Sequence, residues 1–390
     1  MLLDPSPDQE FFRDTTARFL AERVPPDGIR RLRDDPDGFA ADYWRAGAEL
    51  GWTGLLVDED HGGGSLSGLG LVDLTLVAHE FGRHAAPGPL CPTNIAAEML
   101  GRYGKDHEET LAALLAGRAT AAWCLDEPRA GSRTATAPVE IRIDGDEVVV
   151  TGTKRPVEAV ITADLLLVTG RTGQDVTNVL VPRDAQGVNI TPLRSIDVTR
   201  RYAAVHFDEV RVPLSSVVGG PGGGADDAAR ARRTAIVISC AESVGALQAV
   251  FDLTVAWAFD RYSFGRPLAS YQELKHRFAD MKTWLEASHA IADRAAGAVA
   301  TTTGSGGSGA AGTAAATGGR AAGGAAASLG ASVASNGGTG AAGGSAAGGV
   351  AVAMTAVPGA ATGAGLAAKN SAGSGTSRRV GACSTRLPAG

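Results

Sequence analysis

Three hydrophobic rhythms divide the chain. From residue 1 to about 118, apolar positions recur at helical spacing. Phe11, Phe12, Thr15, Phe19 and Leu20 predict an apolar stripe on a first helix, and Ser6-Pro7-Asp8-Gln9-Glu10 ahead of them is a capping pattern with proline at the first helical position. Tyr43, Trp44, Gly47 and Leu50 share one side of a second helix, where Gly47 leaves room for a close neighbour. A third pattern spans Leu69–Phe81, and Gly82 predicts its end.

From about 119 the period falls to two. Ile141, Ile143, Val148 and Val150 flank Asp144-Gly145, a hairpin signal. Leu165–Val168, Asn178–Val181, Val188–Ile190 and Val205–Val212 add short strands with Gly and Pro between them, so residues 119–218 predict a β-barrel or sandwich. The Gly-Gly-Pro-Gly-Gly-Gly-Ala-Asp run at 219–226 predicts a linker. It is not a phosphate loop, because no Lys-Ser/Thr follows.

The helical period then returns. Cys240, Val244, Leu247, Phe251, Val255 and Ala258 predict one apolar face; Leu274, Phe278, Met281 and Leu285 predict another. Between them, Ser263, Gly265 and Pro267 predict a tight exposed turn. The expected fold class is thus α+β and multi-domain: an N-terminal helical domain (1–118), a middle β domain (119–218) and a C-terminal domain resembling a four-helix bundle (227–390).

Composition narrows the function classes. A net charge of −6 with scattered arginines argues against nucleic acid. The four cysteines are far apart, with neither metal spacing nor a disulfide framework, which predicts a reducing compartment and no metal. No run of 18 apolar residues and no signal-peptide pattern occurs, so the expectation is a soluble, cytoplasmic protein with no membrane partner. His61 has no pairing residue nearby and is expected to be an ordinary loop histidine.

The chemistry gathers in two stretches. Arg261 at a helix end offers a planar fork of donors suited to phosphate, Ser263 a hydroxyl, Phe264 an aromatic face, and Gln272 an amide at the start of the next helix, where free backbone N–H groups also favour anions. Taken alone, Arg-x-x-Phe-Gly is an ordinary helix corner with an arginine complementing the dipole. The second stretch, Trp123-Cys-Leu-Asp-Glu-Pro-Arg-Ala-Gly-Ser132, turns sharply at Pro128 and Gly131 and exposes main-chain donors.

Together these stretches resemble the acyl-CoA dehydrogenase family. Arg261-Tyr-Ser-Phe-Gly-Arg-Pro followed by Tyr271-Gln272 and Lys275-His276 is similar to its C-terminal signature, and Asp126-Glu-Pro-Arg-Ala-Gly-Ser132 to its "TEPxxGSD" strand. Leu50-Gly-Trp-Thr-Gly-Leu-Leu-Val-Asp-Glu-Asp-His-Gly-Gly63, His79-Glu-Phe-Gly-Arg83, Val150-Thr-Gly-Thr-Lys154 and Val198–Pro213 resemble further passages in the same order, over roughly residues 5–295. The resemblance implies FAD as cofactor. Arg261, Ser263, Phe264 and Gln272 would hold its pyrophosphate across a subunit interface, and Leu125, Asp126 and Glu158 would lie at the flavin ring. Ser132 would approach the acyl-CoA substrate. It also implies a homo- or hetero-tetramer and an electron-transfer flavoprotein as electron acceptor.

Several positions depart from that pattern. Asp126 stands where the family usually has a flavin-contacting Thr, and Pro156 and Glu158 stand where many members have Trp and Thr. A carboxylate at that edge would disfavour a reduced flavin. Some members carry the catalytic Glu on the helix before the Arg261 turn, but the matching position is Ala235. Glu242, seven residues on and about 10 Å along the axis, is expected to have a structural role and is only a weak candidate for the base, which leaves the catalytic residue unassigned.

Residues 301–390 hold Ala, Gly, Ser or Thr at 71 of 90 positions, which predicts a flexible low-complexity tail with neither the family's Gln-x-x-Gly-Gly-x-Gly turn nor a C-terminal catalytic Glu. Three readings follow. One is an FAD-dependent acyl-CoA dehydrogenase making the trans-2-enoyl thioester. A second is a non-catalytic subunit that completes the FAD site of a heterotetrameric dehydrogenase acting on bulky, steroid-like CoA esters. The third is a helical scaffold without cofactor.

Overall fold

Ser6 opens the first helix through two reciprocal bonds: Gln9 N–H donates to Ser6 Oγ (3.3 Å) and Ser6 N–H to Gln9 Oε1 (2.9 Å). The computed structural model describes residues 5–103, 106–128 and 138–304. Its N-terminal part comprises α1 (Pro7–Arg23), α2 (Pro26–Arg31), α3 (Ala41–Glu49), α4 (Gly70–His84), α5 (Leu90–Tyr103) and α6 (Glu108–Leu115). Leu20, Trp44, Trp52 and Phe81 form the centre of its core, with Trp52 edge-on to Phe81 at 5.0 Å between centroids. Trp52 fills the space above Gly47, where a Cβ would lie 2.1 Å from the indole. On α1 the inward stripe is Gln9, Thr16 and Leu20; Phe11 points outward, 70% exposed, because the helix turns its phase to place Gln9 on the buried Asp73 (2.7 Å).

The middle strands are β1 (Ala121–Cys124), β2 (Glu140–Asp144), β3 (Glu147–Glu158), β4 (Leu165–Thr172), β5 (Asp175–Pro182), β6 (Val188–Leu193), β7 (Tyr202–Pro213) and β8 (Val217–Val218). They hydrogen-bond in the order β6-β7-β3-β2-β4-β5-β8, with β1 parallel to β4. β2 and β4 join through the single pair Glu140↔Arg171, so two half-sheets fold over one core containing Ile141, Val150, Leu166, Val179 and Phe207. Leu167 and Leu180 point the other way, into a core with Ile95 and Leu100 of α5, which explains the uninterrupted Leu165–Val168 run. The β2–β3 hairpin pairs Asp144 with Glu147, so its turn residues are Gly145-Asp146, one position later than the sequence signal suggests, with Gly145 at φ +65°.

The last part is α7 (Ala225–Asp260), a two-strand corner of β9 (Tyr262–Ser263) and β10 (Arg266–Pro267), and α8 (Gln272–Gly304). The α+β, multi-domain class expected from the sequence holds. The 219–226 run ends in helix, because α7 already starts at Ala225; before it Gly222 N–H donates to Thr177 Oγ1 (2.9 Å) and Gly224 N–H to the Val176 carbonyl (2.8 Å). Helix α8 runs to Gly304, four residues into the segment whose composition predicts no order. The remainder of that segment, and Ser132, lie outside the described residues.

Gly82 does not end α4. The helix continues to His84 and stops at Ala85, which takes φ +49°. Gly82 is needed for another reason: a Cβ there would sit 1.8 Å from the carbonyl oxygen of Glu242 on α7, and a Cβ on Gly245 would sit 1.9 Å from the carbonyl oxygen of His79 on α4. The helices therefore cross backbone to backbone, each supplying one glycine. This crossing also sets the buried face of α7, which is Val237, Ile238, Ala241, Val244 and Ala258. Cys240 and Leu247 of the sequence-predicted stripe are exposed, as is Met281 on α8. Among the described residues α7 alone is long and apolar enough to cross a membrane, although one side is committed to α4.

Gly82→Ala and Gly245→Ala should each destabilise the fold by about 3 kcal/mol or more, measured by urea denaturation. Gly297→Ala on α8, where a new Cβ meets nothing within 4 Å, should instead stabilise by roughly 0.5–1 kcal/mol.

Candidate active site between the sheet and the long helix

The segment leaving β1 is clamped to β3. Lys154 Nζ, buried under the sheet, donates to the Leu125 carbonyl (2.9 Å) and to Glu127 Oε1 (3.0 Å), while Arg155 N–H donates to the Asp126 carbonyl (2.7 Å). Burial pulls the Lys154 ammonium below its ordinary range, and Glu127 opposes that shift. Glu127 also accepts from the Val139 N–H (3.1 Å), closing the far side of the turn. With its carbonyls engaged, the segment presents Trp123, Leu125 and Asp126 to one wall of a cavity of about 340 Å³. The opposite wall is α7, through Arg232, Ala235, Ile236, Ser239, Cys240 and Ser243.

Asp126 and Ala235, singled out from the sequence, thus face each other across this cavity. Ala235 contributes no base. Asp126 is 3.4 Å from Arg232 Nη2, with both side chains mostly exposed, so this pair adds little stability.

Next to the cavity, on the adjoining face of α7, lies a second group that the sequence reading had only in part. Arg200, just ahead of β7, places Nη2 2.7 Å from Glu242 Oε1 and Nε 3.1 Å from Glu158 Oε1. Its Nη1 donates to the Ala86 carbonyl (2.8 Å) in the α4–α5 connection. The guanidinium therefore joins all three parts of the chain. The side chains of Arg200, Glu158 and Glu242 are 11%, 26% and 22% exposed, enclosed but reachable.

Charge and burial compete here. Burial pushes Glu158 up to about 7; Arg200 draws it down and Glu242 pushes it further up. Burial also raises Glu242, while Arg200 opposes this by charge and by hydrogen bond. For Arg200 burial alone would lower the pKa, but Glu242 and then Glu158 outweigh it and raise it. The carboxylate expected at Glu158 is consequently not an isolated negative charge. Arg200 compensates it. Cys91 of α5 faces the same group, and burial followed by the two carboxylates holds its thiol protonated.

Within the Val198–Pro213 passage, Arg200 has no signature that marks it as a site residue. It lies 42 positions from both Glu158 and Glu242, and its only mark is the doubled Arg200-Arg201 before a strand. The second arginine has a separate task, donating to the carbonyls of Leu32 and Asp35 (2.7 Å for the latter).

The Arg261 corner forms a third group, at the far end of α7. Arg261 caps α7, and its guanidinium has no hydrogen-bonding or ionic partner among the described residues. Tyr271 Oη donates to the Ser263 carbonyl (2.7 Å) and Arg266 stacks 3.9 Å over the Tyr271 ring, which fixes the corner. Phe264 takes φ +50° and is 97% exposed, and Gln272 begins α8 with its amide 2.9 Å from His276 Nε2. Eighteen residues of helix separate Arg261 from Ser243 of the cavity, about 27 Å of rise. Arg261, Ser263, Phe264 and Gln272 come together, as do Leu125 and Asp126, but one chain does not bring the two sets to one place. His61 lies in a short 3-10 turn between α3 and α4, remote in sequence from all three groups.

Comparison with known proteins agrees with this layout. Profiles for the acyl-CoA dehydrogenase N-terminal domain and the acyl-CoA dehydrogenase C-terminal domain match residues 6–118 and 230–362. The acyl-CoA dehydrogenase IpdE2 of Mycobacterium tuberculosis is 29% identical over 290 residues, 74% of this chain and 76% of that protein. In fold, a glutaryl-coenzyme A dehydrogenase in complex with glutaryl-CoA aligns with a TM-score of 0.71 at 21% identity, over 77% of this chain and 78% of its own. PigA with FAD and proline aligns with a TM-score of 0.67 at 22% identity, over 76% and 80%.

The raised Glu158 carboxyl makes a prediction about pH. The folded state holds its proton up to about 7 while the unfolded chain releases it near the ordinary value of 4.5, so stability falls as pH rises through that window. The loss should be on the order of 3 kcal/mol. Glu158→Gln should flatten this part of the curve of denaturation free energy against pH.

Proposed function

Because the chain belongs to the acyl-CoA dehydrogenase family, whose members use FAD, we propose that it oxidises the acyl group of a CoA thioester to the trans-2-enoyl product, with Glu242 as the base. The observation that carries this reading is Glu242 itself. It is an enclosed but reachable carboxylate with raised proton affinity, and it is held at 2.7 Å by Arg200 one residue from the cavity wall. Its part in the reaction is to take the α-proton of the thioester. FAD, when bound, supplies the acceptor for the electrons released as the double bond forms, and an electron-transfer flavoprotein is the proposed next acceptor.

The residues present fit that cofactor. The Arg261 fork, unengaged among the described residues, and the start of α8 suit a pyrophosphate, and exposed Phe264 suits an aromatic contact. Leu125 and Asp126 would lie at the ring. The roughly 27 Å between corner and cavity supports an arrangement in which Arg261 serves the site of a neighbouring subunit in a homo- or hetero-tetramer.

Two observations favour a second reading, in which the chain completes the FAD site of a heterotetrameric dehydrogenase without turning over substrate itself. Arg200 already engages Glu242, and a cavity of about 340 Å³ lies at the small end for a ligand site.

An absorbance spectrum of the protein purified alone, taken with its oligomeric mass, separates the two. A flavin band near one FAD per chain, bleached by an acyl-CoA, is the expected outcome. A colourless protein that gains flavin only with a second subunit would establish the partner role. In either case Arg261→Gln should lower flavin affinity roughly tenfold or more, as for loss of a charge-assisted contact to phosphate.

A further inference from the structure

The donors of Arg200 are distributed like those of a junction. Nε serves Glu158 (3.1 Å), Nη2 serves Glu242 (2.7 Å), and Nη1 serves the carbonyls of Ala86 (2.8 Å) and Thr199 (3.4 Å). One guanidinium thus stands between two carboxyl groups in a seam that largely excludes water. If both were ionised, the group would carry an uncompensated negative charge, which is costly in such a place. The remaining titratable groups that face it do not supply the missing positive charge. Asp197, in the loop before β7, is exposed, so its negative charge is solvated and stands outside the enclosed group. Tyr202 on β7, Cys91 on α5 and Tyr43 on α3 all remain neutral, because burial raises each of them.

A single proton resolves the excess, and geometry says where it sits. Glu242 accepts the shorter, charge-assisted bond and is the better stabilised anion. Glu158 has the longer contact, and its side chain, 26% exposed, gives that proton a way out to water. It is also the carboxyl pushed up to about 7.

We infer that Glu158 and Glu242 work as an acid–base pair across Arg200, Glu158 carrying a proton beside the ionised base and Arg200 positioning the two in opposite protonation states. This deepens the function proposed above and rests on its assignment of Glu242. The charges then balance through the step. The α-carbon–hydrogen bond breaks: its electron pair stays on the thioester as the enolate, available for the new double bond, and its proton forms an O–H bond on Glu242, leaving Arg200 without an anion. Glu158 then releases its own proton to water and becomes that anion. A proton enters on one side of the guanidinium as an equivalent one leaves on the other, and the enclosed group stays neutral.

The test has two arms. The first is infrared titration of the carboxylic acid C=O band, which needs neither flavin nor thioester. Glu98, also raised to about 7 by burial, contributes a band of its own, so the wild-type-minus-Glu158→Gln difference is read. The expected result is one protonated carboxyl near neutrality that vanishes in Glu158→Gln and, in Glu242→Gln, titrates at lower pH, because the neutral amide leaves Glu158 as the anion that Arg200 needs. A difference spectrum without that band overturns the pair. If Glu158→Gln folds poorly, Arg200→Lys replaces it: the charge stays but the fork that reaches both carboxyls is lost, and the midpoint should rise by about one unit. An unchanged midpoint also overturns the pair.

The second arm is exchange of the substrate's α-hydrogen with deuterated water, followed by mass spectrometry of an acyl-CoA. Glu242→Gln should lower the rate at least about a thousandfold, as for loss of a base. Glu158→Gln should lower it about tenfold and remove the pH dependence near neutrality. A wild-type rate in Glu242→Gln would remove the base, and with it the functional reading. A wild-type pH profile in Glu158→Gln would sink the pair alone.

Discussion

Two helices touch backbone to backbone where Gly82 of α4 meets the Glu242 carbonyl and Gly245 of α7 meets the His79 carbonyl, and most of the site geometry depends on that contact. A side chain larger than hydrogen at either place would push the helices apart. The separation decides how far Glu242 stands from Arg200, which approaches from the sheet side and is itself tied to the Ala86 carbonyl just beyond the end of α4. The crossing and the guanidinium form a closed loop of constraints: helix against helix, helix against sheet, sheet against the α4–α5 connection. Burial of Glu158 and Glu242 follows from this closure, and so do their raised proton affinities.

The electrostatics of the loop differ from those of a surface ion pair. Arg200 offsets two carboxyls whose burial would otherwise be very costly, and its planar fork can reach both at once, which a lysine could not. Lys154 follows the same logic on a smaller scale, with one buried cation holding a carbonyl and a carboxylate so that the segment after β1 keeps its shape. In both cases a buried cation fixes backbone: the cavity-lining segment after β1 for Lys154, the α4–α5 connection for Arg200.

Much of this architecture was legible in the sequence, for physical reasons that also mark where legibility stopped. The Ser6 cap, the change from helical to alternating period near residue 119, and the Arg261 corner are local patterns, and local patterns leave local traces. Gly82 was misread as a helix end because glycine serves both as a stop and as a point of close approach; only the neighbouring helix distinguishes the two. The exposed Cys240 and Leu247 were assigned to the packed face because one period fits several phases of a 36-residue helix. Asp126 and Ala235 were each notable, but their opposition across a cavity is a tertiary fact. Arg200 escaped as a site residue altogether. Its meaning lies in partners 42 positions away in either direction, and a single sequence does not display such a relation.

Arg200 also bears on how the molecule comes apart. Its contacts reach the α4–α5 connection, the end of β3 and the middle of α7, so none of these can open locally without breaking a charged hydrogen bond. Layers that would otherwise fray separately are coupled into one cooperative unit. Slow amide exchange should therefore extend from the sheet into α7 as a single protected block, and the proton on Glu158 becomes one of the quantities that set how long this block stays closed.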